Sequence, residues 1–257
     1  MREAQVPAKV NTEDGVAVVT FAGDSTNNTF STWKMNGLNR LFGELSEDKN
    51  IRAVVLTAGT SRSFGVGGDF NEVHTFTGGD DVAEWIDACV GMYRAALRIE
   101  QPVVAAIEGY AIGIGLQLAL CADHRICATN SDMRMPELKL GIACVLGAYL
   151  LEHCIGRVAM TRMVLSCEPW DAQRALTDGL VSEVTPKGAT VGAAIHRAAE
   201  FGSYAEVPFR ETKRYVNRQV VSGLVEAQSA ATQAHKRGFS SGTSAQNRMR
   251  TVIGKGV

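Results

Sequence analysis

The chain reads as an α/β protein with a mostly parallel sheet, and three observations support this. Short apolar, β-branched runs at 16–21, 52–57 and 102–107 have the length of buried strands. Two of them, 52–57 and 102–107, lead into the glycine-rich turns AGTSRSFGVGGDF and EGYAIGIG, which then open helices. The runs are continuously apolar, as expected for parallel strands covered by helices on both faces.

The elements follow in order. After the strand at 16–21, Ser31 is placed to cap a helix whose apolar positions Met35, Leu38, Leu41, Phe42 and Leu45 recur at helical spacing. Beyond the strand at 52–57 and its glycine turn, 81–100 predicts a helix with Trp85, Ile86, Cys89, Met92, Tyr93 and Leu97 on one side. The strand at 102–107 leads into a helix through 116–121 and a strand at 124–128. From Val145 onward the texture is mostly helical. Asp171 can cap a helix through Leu176, GLVSEV at 179–184 reads as a short strand, and 189–201, 207–220 and 224–239 carry helical patterns. The tail SSGTSAQNRMRTVIGKGV, 240–257, is polar and glycine-rich, and such a tail alone is expected to be mobile. No linker separates two independent cores.

Composition excludes several functions. With 257 residues, 46% hydrophobic and 21% charged, the chain builds one substantial core. A formal charge of −1 gives no pull toward nucleic acid or an anionic membrane. No apolar run of spanning length is present, and the polar stretch MREAQVPAKVNTEDG lacks a signal-peptide core, so the expected location is cytoplasmic. Cys89, Cys121, Cys127, Cys144, Cys154 and Cys167 form no C-x-x-C pair and are expected as buried, reduced thiols. The five histidines lack metal-ligand spacing, so no metal site is expected. The short basic stretches at Arg210, Lys213-Arg214 and Lys236-Arg237 read as solvated helix faces.

The chemistry concentrates at the glycine turns. A helix start presents unpaired N–H groups, and glycine lets backbone approach a ligand closely. Two such turns facing one point supply two donors to a developing oxyanion. The apolar helix after the second turn carries one polar residue, Gln117, and a single carboxylate, Glu137, follows Pro136. A lone acid with paired backbone donors suits a carbonyl anion better than two-carboxylate acid–base work.

These residues resemble the crotonase (enoyl-CoA hydratase/isomerase) superfamily. The resemblance rests on SFGVGGDF at 63–70, VAAIEGYAIGIGLQLALCADHRICA at 104–128, MPELKLGI at 135–142, DAQRALTDGLVSEV at 171–184 and ETKRYVNR at 211–218. It implies the crotonase fold, a spiral of ββα units forming two near-perpendicular sheets, with a helical C-terminal trimerisation region. The implied division is a spiral core over 1–190 and a helical region over 191–257, packing on that core and at the interface of a homotrimer or hexamer. It also implies a coenzyme A thioester as substrate, with no permanently bound cofactor.

Carried over by position, the oxyanion donors are the N–H groups of Gly68 and Ile114. Hydratases of this superfamily usually have a glutamate at the position of Gln117 and a second at that of Glu137; here the first is an amide, which cannot act as a base. Closer resemblance is to the branch that joins decarboxylated malonyl-CoA to pyrroline-5-carboxylate in carbapenem biosynthesis. It rests on GGDFNEV at 67–73, EWID at 84–87, GYAIG-x-G-x-Q at 109–117, MPELK-x-GI at 135–142, TKR-x-VN at 212–217 and His235-Lys236. The partners so implied are small molecules, an acyl-CoA and an amino-acid-derived imine. The same resemblance puts Trp85 and His235 near the acyl or imine pocket, whereas their patterns alone suit a core tryptophan and a surface or interface histidine. The alternatives are an enoyl-CoA isomerase or hydratase, another acyl-CoA decarboxylase of the superfamily, and a non-catalytic binding protein of this fold.

Overall fold

The computed structural model describes residues 6–23 and 27–240. Strands β1 (Ala8–Glu13) and β2 (Val16–Phe21) form an antiparallel hairpin. Its turn is Asp14-Gly15, both at positive φ, the backbone that lets two strands reverse in two residues. Helix α1 (Thr32–Glu47) is capped by Ser31, whose hydroxyl accepts from Lys34 N–H. Then come β3 (Ala53–Thr57), β4 (Gly65–Val66), α2 (Phe70–Val73), α3 (Asp80–Arg98), β5 (Val103–Ile107), β6 (Tyr110–Ile112), α4 (Ile114–Leu120), β7 (His124–Ala128) and β8 (Asp132–Arg134). A 3₁₀ turn, Glu137–Leu140, leads to α5 (Val145–Ser166), which Gly156 interrupts at φ 73° and ψ 166°. The chain continues with β9 (Trp170–Asp171), α6 (Ala172–Thr177), β10 (Glu183–Thr185), α7 (Thr190–Gly202) and α8 (Glu206–Ser240).

Two sheets result, a six-stranded one ordered β1-β2-β3-β5-β7-β10 and a four-stranded one ordered β4-β6-β8-β9. The large sheet is parallel from β2 to β10 and buried on both faces. Val54, Leu56, Val103, Ala105 and Ile107 point into the main core with α1, α3 and α8. Ala53, Val55, Val104 and Ala106 point the other way, onto Ala194 and Ala198 of α7. Side chains alternate between faces along a strand, and here both sides are apolar, hence the unbroken hydrophobic runs.

The structure corrects several sequence expectations. The patterns at 207–220 and 224–239 are one continuous helix, α8. The strand expected at 179–184 starts at Glu183, because Gly179 at φ +76° spends the preceding residues on a turn. Strand β1 is additional; the second sheet, implied by the resemblance but not by the residue patterns, is made of strands two or three residues long. The basic stretch at Lys213 is not a solvated face: its ammonium is buried and donates to Gln101 O at 2.7 Å and Asp123 Oδ2 at 2.5 Å. Arg210 and Arg214 pair with Glu100, so this stretch straps α8 to the start of β5. Of the six thiols Cys154 is exposed and the rest are buried. Residues 241–257 of the expected tail lie outside the described residues. Among the described residues no helix is long and apolar enough to cross a membrane.

Candidate active site

The site is built from backbone first. Phe30 bridges Gly68 in parallel, donating to Gly67 O at 2.9 Å and accepting from Asp69 N–H at 3.2 Å. In extended chain, groups alternate sides, so the intervening Gly68 N–H faces away from Phe30. The second turn ends in Gly113, at φ 53° and ψ −121°, a backbone closed to other residues. The first main-chain bond of α4 is Gln117 N–H to Gly113 O at 2.9 Å, which leaves Ile114 N–H without an intrahelical partner. The two turns touch: a Cβ on Gly115 would lie 2.3 Å from Gly65 O. A Cβ on Gly68 would lie 3.5 Å from both Ile114 Cδ1 and Trp85 Cζ2.

One cavity of about 710 Å³ is lined by all six residues singled out in the sequence, Gly68, Trp85, Ile114, Gln117, Glu137 and His235. Glu137 opens the 3₁₀ turn, whose end is fixed by Ile142 N–H donating to Glu137 O at 2.8 Å. Its carboxylate folds back toward the second glycine turn: a Cβ on Gly113 would lie 3.3 Å from Oε1.

Glu137 Oε1 accepts from Gln117 Nε2 at 3.0 Å, and Gln117 Oε1 accepts from the Tyr93 hydroxyl at 3.0 Å. Glu137 Oε2 is buried and accepts no hydrogen bond of normal geometry. Burial pushes the Glu137 carboxyl up to about 7, opposed by hydrogen bonds from its own backbone, the Cys144 thiol and the Gln117 amide. The acid is therefore poised near neutrality, with Oε1 held by Gln117 and Oε2 buried without a hydrogen bond of normal geometry. That is the arrangement of a group that gives and takes a proton.

His235, placed near the pocket by the resemblance although its helix pattern alone suits a surface or interface, is buried. Its ring meets Trp85 edge-on at 5.6 Å, and Nδ1 lies 2.7 Å from Ala231 O, which makes Nδ1 the donor and leaves Nε2 an acceptor. Burial holds its pKa below the usual histidine value, so the ring is neutral at pH 7. Trp85 packs against Phe76, and its Nε1 has no hydrogen-bond partner among the described residues. The site thus combines spare N–H donors with two acceptors.

Sequence reasoning missed Tyr93, Cys144 and Arg134. Tyr93 sat among the apolar positions of its helix; the available signal was a hydroxyl that a buried face must satisfy. Cys144 counted only as a buried thiol, and Arg134, which also lines the cavity, drew no attention. No group of metal-ligating side chains occurs among the described residues.

Residues 11–251 match the family model described as enoyl-CoA hydratase/isomerase. Among characterised proteins, the chain is 37% identical over 242 residues to carboxymethylproline synthase of Pectobacterium carotovorum subsp. carotovorum, spanning 94% of this chain and 96% of that one. It is 29% identical over 218 residues to a probable enoyl-CoA hydratase of Mycobacterium tuberculosis, spanning 84% and 83%. Among solved structures it resembles ThnE from S. clavuligerus, with TM-score 0.77 and 35% identity over 88% of this chain and 100% of that one. The human mitochondrial delta3-delta2-enoyl-CoA isomerase shares the fold, with TM-score 0.87 at 24% identity over 97% of each chain.

Proposed function

The chain belongs to the enoyl-CoA hydratase/isomerase family and is an acyl-CoA enzyme of the crotonase superfamily; from that premise we propose that it works as a carboxymethylproline synthase. In this reading malonyl-CoA places its thioester oxygen between the N–H groups of Gly68 and Ile114. The bond to the carboxylate breaks, carbon dioxide leaves, and the electron pair moves onto that oxygen as an enolate. Two backbone donors stabilise the charge as it forms, and one such donor is worth about 3 kcal/mol of barrier. The enolate carbon attacks the imine carbon of pyrroline-5-carboxylate, forming the carbon–carbon bond while the imine nitrogen gains a proton. Water then hydrolyses the thioester, releasing carboxymethylproline and coenzyme A.

Glu137 handles protons and positions the imine or the hydrolytic water. Gln117 holds one carboxylate oxygen so that the other faces the reactants. The Ile114 side chain, against Gly68, shapes the face open to the imine, and Trp85 and His235 form the acyl end of the pocket. The observation that supports this most is the neutral Gln117 hydrogen-bonded to a lone Glu137 beside two spare N–H groups. It suits an enolate made by decarboxylation, which needs donors more than a second acid. The assembly we propose is a homotrimer or hexamer, using apolar side chains left exposed on α8 and α5 such as Val216, Val225, Val158 and Leu165.

The test is incubation with malonyl-CoA, with and without pyrroline-5-carboxylate, followed by mass spectrometry. The carboxymethylproline mass is expected only with both substrates. Acetyl-CoA alone would reduce the activity to decarboxylation. Unchanged malonyl-CoA would reject the synthase reading and turn attention to enoyl thioesters.

A further inference from the structure

The cavity has a buried end and an open end. Trp85, Gln117 and His235 at the buried end are 6, 6 and 5% exposed. The open end lies on the outward face of the four-stranded sheet. Register aligns Val66 with Ile112 and Ile112 with Arg134, so their side chains share one face, and Tyr110 lies two residues back on the same side. Tyr110 is 46% exposed and the Arg134 side chain 30%. Arg134 is the only arginine or lysine lining the cavity among the described residues.

Its guanidinium is already oriented. Nε donates to Asp132 Oδ1 at 2.7 Å, and Nη2 pairs with Asp132 Oδ2. The group lies over the Tyr110 ring, with Cζ 6.0 Å from the centroid. Nη1 donates no hydrogen bond among the described residues, so its two N–H groups remain for a ligand. The other acid of this outer rim, Asp69, is occupied in capping α2 through Asn71 N–H. An acyl-CoA whose thioester reaches Gly68 and Ile114 must leave its phosphates, the most hydrated part of the molecule, at the open end.

We propose that Arg134, oriented by Asp132 and backed by the Tyr110 ring, binds the diphosphate of the coenzyme A thioester at the cavity mouth. This rests on the acyl-CoA reading above, though not on the carbon–carbon bond chemistry. Because Asp132 balances the charge, the contact works through short charge-assisted hydrogen bonds rather than a long-range field.

Calorimetric titration of wild type and Arg134→Gln with coenzyme A, 3′-dephospho-coenzyme A and pantetheine tests it. The variant should bind both diphosphate-bearing ligands on the order of tenfold more weakly, with pantetheine affinity unchanged. Arg134→Lys, which keeps the charge but loses the fork, should show a smaller loss. A loss confined to coenzyme A would assign Arg134 to the 3′-phosphate and overturn the proposal. Equal loss for pantetheine would mark a merely structural role and overturn it too. Unchanged affinity for all three, with a raised KM for the imine alone, would place Arg134 on the imine carboxylate instead. If wild type bound none of the three, the acyl-CoA reading itself would fall, an outcome separate from failure of the arginine.

Discussion

Three side chains, Tyr93, Gln117 and Glu137, make a directed chain at the centre of the cavity. The Tyr93 hydroxyl fixes which end of the Gln117 amide faces the acid. Removing it in Tyr93→Phe frees the amide to rotate and weakens support for the carboxylate, so the limb near pH 7 in the pH dependence of kcat/KM should move to higher pH. Glu137→Ala should lower product formation on the order of a thousandfold while coenzyme A binding, measured by titration, survives. Gln117→Glu would set two carboxylates at the 3.0 Å contact now spanned by an amide, so they would share a proton and titrate as a pair. If acid count is what limits hydration, this variant gains crotonyl-CoA hydration; absence of any gain would show that pocket shape excludes the reaction. Glu137 also has a cost for folding. Its folded pKa, about 7, is raised from 4.5, so its carboxyl favours the folded state fully below pH 4.5, and that contribution is lost as pH rises to 7. Glu137→Gln should therefore be more stable than wild type above pH 7 by about 3 kcal/mol, with the difference gone below pH 4.5, as denaturant titration can read.

At the scale of elements, two contacts set the geometry of the site. Helix α4 starts hard against β4, where a Cβ on Gly115 would meet Gly65 O at 2.3 Å. Gly115→Ala should force these elements apart and misalign the N–H groups of residues 68 and 114; turnover falls by far more than the stability loss of about 1–3 kcal/mol implies. Equal proportionate losses would show that the spacing of the turns does not govern catalysis. The second contact is Lys213, buried on α8 against Asp123. Lys213→Ala removes a buried ammonium from a part-exposed carboxylate that still accepts from Val103 N–H, and should cost about 1–3 kcal/mol, read as a lower Tm. Since α8 also carries His235, the same variant should loosen the acyl end of the cavity.

On the scale of the molecule, α7 and α8 are part of the core. α7 covers one face of the large sheet, and α8 supplies Leu224, Ala227, Ala231 and Phe239 to the cluster on the other. A chain ending at residue 190 would bare both faces, and proteolysis should show no stable fragment there. For the proposed assembly, light scattering should give a particle of three or six chains; a monomer mass would remove it. Much was legible in advance because its causes are local. The Ser31 cap, the buried strands and the turns at 58–70 and 108–115 follow from side-chain chemistry within a few residues. Strands of two or three residues carry too little pattern to read, so the second sheet was expected only through the family resemblance. The identity of Gln117 and Glu137 was plain, but whether Gln117 orients Glu137 or meets the substrate carboxylate was not, since 19 residues and a strand pair lie between them.

The sequence by itself determined the parallel α/β order, the glycine turns that permit close backbone approach, and the presence of one acid where a hydratase has two. Each is a property of residue type and short-range spacing. Only the tertiary structure decided that Tyr93 orients Gln117, that His235 is buried against Trp85, that Lys213 is a strap, and that Arg134 is the lone described cation at the cavity mouth. These are contacts between distant segments, and burial, which moves Glu137 toward neutrality and keeps His235 uncharged, exists only once those segments have closed over one another.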